Sequence, residues 1–359
     1  MHMIYEYWLA AVSGVPSGRK RQLRELAGNA EAAYYMEEKE LRASGLLKER
    51  EIQAFLLAKK NPFREEYERM RKQEIHFVPY FAGEYPKRLC CIQNPPYAIY
   101  VKGALPEEGK VSAAIVGARK CTPYGEQMSL AYGEAFARAG VQVISGMARG
   151  IDGAGQRGAL NGGGKSFGIL GCGADICYPR EHFGLYMDLQ QSGGIISEQL
   201  PGTKPFPGFF PARNRIISAL SDVVLVMEAR EKSGSLITAD MALEQGKDVY
   251  ALPGPATSPL SQGCHHLIRE GAGILVSPEV LLEEMSLCSE KVGQIINKNE
   301  KMLETTENLV YSCLDFTPRG VNGLSERTGL PARKVLELLI SLELKGMVKE
   351  ISKNYYIRT

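Results

Sequence analysis

The chain has 359 residues, of which 44% are hydrophobic and 23% are charged. These proportions are typical of a globular protein with more than one domain, and they exclude a disordered or fibrous chain. The formal net charge of +2 is too small to hold a polyanion by general attraction, so a nucleic acid would need a local basic patch.

The lack of targeting signals and the spacing of the cysteines predict the cellular compartment and the state of the thiols. No apolar stretch is long enough to cross a bilayer, and the N-terminus lacks the basic and apolar regions of a secretory signal. We therefore expect a cytoplasmic protein without a membrane span. The eight cysteines form no CxxC pair and lack zinc-ligand spacing, which predicts reduced, mostly packed thiols and no metal site.

The first segment, residues 1–74, has apolar residues at helical spacing and is predicted to form a small helical domain. Within it, residues 13–18 (SGVPSG) precede the basic run 19–21 (RKR), a pattern similar to a helix-hairpin-helix or SAM-like domain that holds a DNA phosphate. An ordinary helical turn with a solvated basic face explains the pattern equally well, because nearby acidic residues almost balance the charge.

Residues 75–285 are predicted to form an α/β core. A connector rich in proline and aromatic residues, 75–102, comes first and disfavours regular helix. Short apolar runs then alternate with helical segments, as in a parallel sheet covered on both faces, so the fold class is an extended Rossmann-like, doubly wound parallel sheet. Strands are predicted at 111–116, 141–144, 167–170, 195–196, 223–227 and 249–252, and helices include 125–139 and 151–160.

The C-terminal part has a different pattern. A polar stretch, 286–304, is predicted to be a linker, and residues 305–359 are predicted to form a winged helix. Its three basic residues near the recognition helix are Arg333, Lys334 and Lys345, so DNA binding, protein binding and a purely structural role stay open. The predicted helices are 310–314, 324–328 and 335–344, and the predicted hairpin strands are 347–351 and 355–357.

Glycine-rich turns follow the predicted strands and point to an anion-binding face. Such turns expose backbone N–H groups at helix N-termini, and arginines accompany them here. A Gly-Lys-Ser phosphate loop is excluded at 162–166 because that segment runs from helix to strand, and 171–173 lacks the third glycine of a dinucleotide fingerprint. The turns are 115–119 (IVGAR), 145–152 (SGMARGID), 210–215 (FPARNR) and 233–238 (SGSLIT).

In this order, and with 252–254 (LPG) and 263–272 (GCHHLIREGA), the turns closely resemble the core of the DNA-processing protein A family. The resemblance covers about residues 80–276. It implies a bacterial protein that binds single-stranded DNA, protects incoming DNA in natural transformation and loads the recombinase RecA onto it. It also implies competition with single-strand binding protein, a homodimer, no catalytic residue and no cofactor.

Carried over motif by motif, the resemblance places the DNA contacts on these turns. Arg119 is expected to bind a backbone phosphate through two hydrogen bonds, and an ion pair with Glu198 is the alternative. Lys204 and Phe206 are expected to contact phosphate and base, with loop packing as the alternative for the ring. The predicted DNA-binding residues are Gly117, Arg119, Ser145, Gly146, Met147, Arg149, Lys204, Phe206, Arg213, Asn214, Arg215, Ser233, Gly234 and Ser235.

Within the 145–152 turn, Ser145, Gly146 and Met147 are expected to supply backbone donors. Arg149 either contacts DNA or pairs with Asp152 and fixes the turn.

The resemblance also implies a symmetric dimer contact, overlapping a recombinase contact, at the end of the core. We expect His265, Ile268 and Ile274 at this isologous interface, with simple core packing as the alternative for the two isoleucines.

An enzyme is the alternative function. Related α/β phosphoribohydrolases cleave nucleotide N-glycosidic bonds with a glycine-rich loop followed by a glutamate. Residues 233–240 lack that glycine set, and Ala239 and Asp240 stand where the glutamate is needed. Gly155 and Gln156 stand where the DNA-processing family usually has Ala and His, so a titrating histidine there is excluded.

Overall fold

The computed structural model describes residues 3–287, 305–315 and 317–358. The predicted linker 286–304 therefore lies almost entirely outside the described residues. Within those ranges no helix combines the length and the apolar character that a bilayer crossing requires.

Short helices pack around one tryptophan in the N-terminal part. Trp8 is 1% exposed, its indole N–H donates to the carbonyl oxygen of Ala58 at 3.0 Å, and its ring meets Tyr34 edge to face. Asn29 starts the third helix by accepting the N–H of Ala32 at 2.8 Å. The helices are α1 (Met3–Ala11), α2 (Ser17–Ala27), α3 (Ala30–Tyr35), α4 (Glu38–Ala43), α5 (Glu49–Ala58) and α6 (Phe63–Lys72).

The basic residues at the start of α2 make contacts with other parts of the protein. Arg19 forms an ion pair with a glutamate of α5. The Lys20 amine is buried against the end of α1 and donates to a carbonyl oxygen there, and burial lowers the pKa of Lys20 to about 8. Arg21 donates to the carbonyl oxygen of Pro96 and lies 4.2 Å from the centre of the Tyr80 ring. These contacts favour the structural interpretation of the run over a DNA contact.

A buried carboxylate joins the N-terminal helices to the connector. Glu6 is 3% exposed, and it accepts hydrogen bonds from Arg24 at 2.9 and 3.0 Å and from the Tyr97 hydroxyl at 2.5 Å. The Arg24 guanidinium also lies 3.9 Å from the centre of the Phe81 ring. Burial and the neighbouring Glu6 charge raise the pKa of Tyr97 well above its ordinary value. The helical part is thus anchored on the core by a desolvated charge network.

Among the described residues, nine strands form one sheet in the order β1-β2-β6-β5-β4-β3-β7-β8-β9. The strand β2 is antiparallel to both of its neighbours, and all pairs from β6 to β9 are parallel. The strands are β1 (His76–Pro79), β2 (Ala98–Gly103), β3 (Ser112–Val116), β4 (Gln142–Ser145), β5 (Ser166–Leu170), β6 (Gly193–Ser197), β7 (Val223–Val226), β8 (Asp248–Ala251) and β9 (Gly273–Ile274).

The chain builds this sheet outwards from β3 in two directions. It proceeds through β4 and β5 to β6, and then returns to the other side of β3 with β7. In open α/β sheets such a reversal leaves a crevice at the carboxyl ends of the two central strands, here β3 and β7. The order of the sheet therefore fixes where a ligand can enter.

Helices cover both faces of the sheet, so the doubly wound prediction is confirmed. The predicted strands are all present with ends displaced by up to two residues, because continuous apolar runs mark strands buried on both faces. The core helices are α7 (Lys87–Cys90), α8 (Pro123–Arg138), α9 (Ile151–Asn161), α10 (Phe183–Gln191), α11 (Phe209–Ala219), α12 (Gly234–Glu244), α13 (Gln262–Arg269) and α14 (Pro278–Glu284).

The C-terminal residues form the predicted winged helix. Its elements are α15 (Thr305–Ser312), β10 (Arg319–Gly320), α16 (Val321–Thr328), α17 (Ala332–Leu344), β11 (Val348–Ser352) and β12 (Tyr355–Arg358). The first helix begins five residues before its predicted start, because its polar first turn carries no apolar repeat.

The basic residues of the winged helix have acidic partners. Arg333 and Lys334 both pair with Glu337, and Lys345 pairs with the buried Glu307. The recognition helix α17 therefore presents little uncompensated positive charge.

Replacing Arg24 tests the anchor between the N-terminal helices and the connector. We expect Arg24→Ala to lower the free energy of unfolding by about 3 kcal/mol, because Glu6 would stay buried without its cationic partner. Urea unfolding followed by the fluorescence of Trp8, the chain's single tryptophan, measures this change.

The control is Arg42→Ala, which removes a cation paired with Glu38 and Glu49 on the exposed face of α4. It should leave the unfolding midpoint unchanged. Equal effects of the two substitutions would contradict the anchor.

Candidate functional site

A cavity of about 480 Å³ opens at the crevice between β3 and β7. Its wall combines the turn after β3, the start of α9, the first turns of α11 and the start of α12. Seven of the predicted DNA-binding residues line this cavity: Gly117, Arg119, Arg213, Asn214, Ser233, Gly234 and Ser235.

The turn after β3 places Arg119 at the cavity mouth. Its exposed guanidinium lies 5.4 Å from the centre of the Phe210 ring. Gly117 allows this turn to pack tightly, because a Cβ there would lie 2.7 Å from the side chain of Ile151. Gly150 has a φ of 70°, and a Cβ on it would lie 2.4 Å from the carbonyl oxygen of Ala118. The arginine is thus carried on a turn that the start of α9 holds in place.

Glu228 holds the far end of the same turn. Its carboxylate accepts the N–H of Thr122 at 2.8 Å and the Thr122 hydroxyl at 2.5 Å, and Thr122 in turn caps α8 by accepting the N–H of Gly125. Glu228 is 4% exposed, and burial raises its pKa against the opposing effect of these hydrogen bonds. The residues between β3 and α8 are therefore fixed at both ends.

Two buried ionisable groups form the cavity floor. Arg213 donates to the carbonyl oxygens of Gly146, at 2.9 Å, and of Ile169. Asp152 accepts the N–H groups of Gly146 at 3.1 Å and Ala148 at 3.4 Å. Burial raises the pKa of Asp152 and lowers that of Arg213 to about 10, and in each case the charge of the other group opposes the shift.

The turn after β4 lies beneath the surface. Ser145 and Met147 are fully buried, and the Ser145 hydroxyl donates to the carbonyl oxygen of Ile115 at 2.6 Å. The N–H of Gly146 already donates to Asp152, so it is not free to bind a ligand, contrary to its predicted role as a donor. This turn shapes the floor rather than presenting its own donors.

Two predicted site arginines have acidic partners. Arg149 forms an exposed ion pair with Glu181, so the pair with Asp152 that was its alternative role is not formed. Arg215 donates to both carboxylate oxygens of Glu198, at 2.8 and 2.7 Å. Glu198 was the alternative partner of Arg119, and these two side chains do not form an ion pair.

Lys204 and Phe206 lie on the loop between β6 and α11, outside the cavity wall. Both are exposed, and the Phe206 ring meets Phe209 edge to face with centroids 5.5 Å apart. Three strand spacings, about 14 Å, separate β6 from β3. The structure therefore places these residues on the same edge of the sheet as Arg119 but farther along it.

Sequence reasoning missed Tyr178 and Lys232 of the cavity. Tyr178 lies after β5, is 40% exposed, and has its ring 5.5 Å from the Phe210 ring at an angle of 34°. Lys232 precedes α12, where Ser233 caps the helix N-terminus. The sequence offered a signal for Lys232, because a basic residue directly precedes a serine that can cap a helix. It offered none for Tyr178, which is 32 residues from Phe210 in sequence and meets it only in the fold.

The predicted dimer residues lie at the other end of the sheet. His265 is half-buried, with its Nε2 3.0 Å from the carbonyl oxygen of Gly254. Ile268 packs partly against the core, and Ile274 on the edge strand β9 is 49% exposed. Ile274 is thus the member of the set that presents most of its side chain to a partner.

Within residues 3–287, 305–315 and 317–358, no group of three or more His, Cys, Asp or Glu side chains could hold a metal ion. The cysteines in these ranges carry free thiols, and Cys90 and Cys91 are exposed whereas Cys172 and Cys264 are buried. Burial raises the pKa of Cys172 and Cys264 to about 12 each.

The buried Glu228 carboxyl makes stability depend on pH. Because the pKa of Glu228 is raised in the folded protein, the free energy of unfolding should fall as the pH rises from about 4.5 through the raised value. Glu228→Gln removes this titration and keeps a hydrogen-bonding group opposite Thr122. The variant should therefore gain stability relative to the unmodified chain as the pH rises, which urea unfolding across a pH series measures.

Glu134→Gln, in an exposed pair with Arg138, controls for the lost charge. If the free energy of unfolding of Glu228→Gln changes with pH in parallel with that of the unmodified chain, the Glu228 carboxyl does not cause the loss of stability.

The comparisons with known proteins agree with this geometry. The family model of DNA recombination-mediator protein A matches residues 76–286, and that of the DprA winged helix domain matches residues 298–352. The chain is 37% identical over 288 residues to Protein Smf of Escherichia coli K12, covering 78% of this chain and 76% of that protein.

Two solved structures are similar. DNA processing protein A of Streptococcus pneumoniae aligns with a TM-score of 0.67 and 30% identity over 78% of this chain and 97% of that one. DNA processing protein A of Helicobacter pylori, described for its single-stranded DNA binding mode, aligns with a TM-score of 0.53 and 28% identity over 59% and 95%. This chain belongs to the DNA recombination-mediator protein A family of DNA-processing proteins.

Proposed function

We propose that the protein binds single-stranded DNA along the carboxyl-end edge of its sheet, protects incoming DNA in natural transformation and loads RecA onto it. It acts without catalysis in the cytoplasm, as a homodimer, and competes with single-strand binding protein. The family membership and the Helicobacter pylori protein support this proposal.

The observation that carries the proposal is a difference in charge pairing between the two edges of the sheet. At the amino-end edge, Lys110 and Lys165 both pair with Glu107, and Arg88 pairs with Asp222. At the carboxyl-end edge Arg149 and Arg215 are paired, but six other exposed cations, on the loops after β3, β5, β6 and β7, have no ion-pair partner among the described residues. They are Arg119, Lys120, Arg180, Lys204, Arg230 and Lys232.

Unpaired cations on one edge suit a polyanion. A single strand that follows this edge exchanges its counterions for these side chains, which gives affinity without reading the base sequence. Exposed rings accompany the cations: Phe206 is 59% exposed and Tyr178 40%. Stacking on such rings favours single strands, whose bases are accessible, over duplex DNA.

Removing two of these cations tests the interface. We expect Arg119→Ala with Lys204→Ala to weaken single-strand binding by about tenfold or more at low salt, and to reduce the slope of log affinity against log salt by about 1 for each cation. Fluorescence anisotropy with matched single- and double-stranded oligonucleotides across a salt series measures both effects.

The control carries Lys110→Ala and Lys165→Ala, which remove two cations from the opposite edge. Its affinity should match that of the unmodified chain. If the two double variants bind equally well, this edge is not the DNA interface.

The dimer is tested at Ile274. Ile274→Glu places a charge at the predicted isologous contact, where two copies would face each other in the assembled dimer. Sedimentation equilibrium should then show a monomer. Leu243→Glu alters a comparably exposed residue, 57% against 49%, on α12, and it should leave the dimer intact. A dimer that survives Ile274→Glu would rule out this contact.

A further inference from the structure

We infer that the cavity between β3 and β7 binds one nucleotide through a phosphomonoester group. The nucleotide is either a free nucleoside monophosphate or the phosphorylated end of a strand, and the second form rests on the proposed function. The volume of about 480 Å³ lies within the range of small-ligand pockets, roughly 300–1,000 Å³. One nucleotide fits such a space, whereas an extended strand must continue outside it.

The phosphate end of the pocket is built by α12. The first N–H groups of a helix have no partner within the helix, and they form its positive dipole end. Ser233 accepts the N–H of Ser235 at 3.4 Å, which leaves the N–H of Gly234 as the donor at the cavity. Arg119 and Lys232 flank this end, and neither has an ion-pair partner among the described residues. Two cations and a helix terminus match the two negative charges of a phosphomonoester better than the single charge of a diester.

The Thr238 side chain offers a ligand in the cavity a second group, apart from the helix terminus. Thr238 lies one turn into α12, lines the cavity and is 2% exposed. Its hydroxyl makes no hydrogen bond to any residue that the structure describes. The Thr238 oxygen is not sealed in the core but stays accessible from the cavity, so a ligand oxygen there can bind this hydroxyl.

An aromatic pair forms the opposite wall. The rings of Tyr178 and Phe210 lie 5.5 Å apart, and the Arg119 guanidinium lies 5.4 Å from the centre of the Phe210 ring. Tyr178 keeps an exposed face on which a base can stack. The pocket therefore combines a phosphate end and a base platform, which is the chemistry of a nucleotide rather than of a phosphate ion.

Calorimetric titration of the full chain with dAMP tests this inference. We expect dAMP to bind at least about tenfold more tightly than deoxyadenosine or inorganic phosphate, because each of these lacks one half of the contacts. Thr238→Val should weaken dAMP binding by about tenfold, since it removes one hydrogen bond to a charged group and keeps the shape. Thr238→Ser restores the hydroxyl and should bind dAMP as the unmodified chain does.

Oligonucleotides with a 5′-phosphate, with a 5′-hydroxyl and in circular form distinguish the two sources of the nucleotide. Tighter binding of the phosphorylated end supports the strand end, and equal binding of the three together with tight dAMP binding supports the free nucleotide.

If oligonucleotides bind through Arg119 but dAMP does not bind at up to about 1 mM, the inference is overturned and the proposed function stands. If dAMP binds but no oligonucleotide does, the proposed function fails and the pocket for the free nucleotide remains.

Discussion

The position of β3 determines where this protein can hold a ligand. The sheet grows from β3 in both directions, so the connection after β3 and the connection after β7 leave their strands towards opposite faces. The gap between them exposes the turn that carries Arg119 and the start of α12 to the same space. Tight packing at Gly117 and the carboxylate of Glu228 keep that turn against the sheet, which fixes the shape of the cavity wall.

The contrast between paired and unpaired cations gives the two ends of the sheet different roles. Exposed ion pairs contribute little stability, so the amino-end pairs cannot be explained as major supports of the fold. Their effect is to cancel positive charge, which leaves an excess at the carboxyl end in a chain whose net charge is +2. Two arginines of α2 are neutralised in the same way, because Arg19 and Arg24 pair with glutamates. The proposed single-strand interface is thus limited to one edge of the sheet.

The fold could be predicted from the sequence almost completely, and the site in part. Parallel strands buried on both faces are continuous apolar runs, and a parallel sheet must bring its glycine turns to one edge, which is why Arg119 and Ser233 were identified. Ion-pair partners could not be predicted, because Glu181 lies 32 residues from Arg149 in sequence and meets it only through the fold. Tyr178 was missed for the same reason: the glycines of its loop, Gly171 and Gly173, do not adjoin it, and its proximity to Phe210 arises from tertiary packing.

A carboxylate in the floor of an anion site needs a physical account. Asp152 accepts two backbone N–H groups of the turn after β4, so it braces the turn that shapes the cavity. The charge of Arg213, held on the carbonyl oxygens of the neighbouring strands, offsets that of Asp152, and the pair adds no net charge to the floor. The positive field at the proposed phosphate position therefore comes from Arg119, Lys232 and the end of α12. In this proposal the mouth and the helix terminus set the selectivity for an anion, while the floor supplies rigidity.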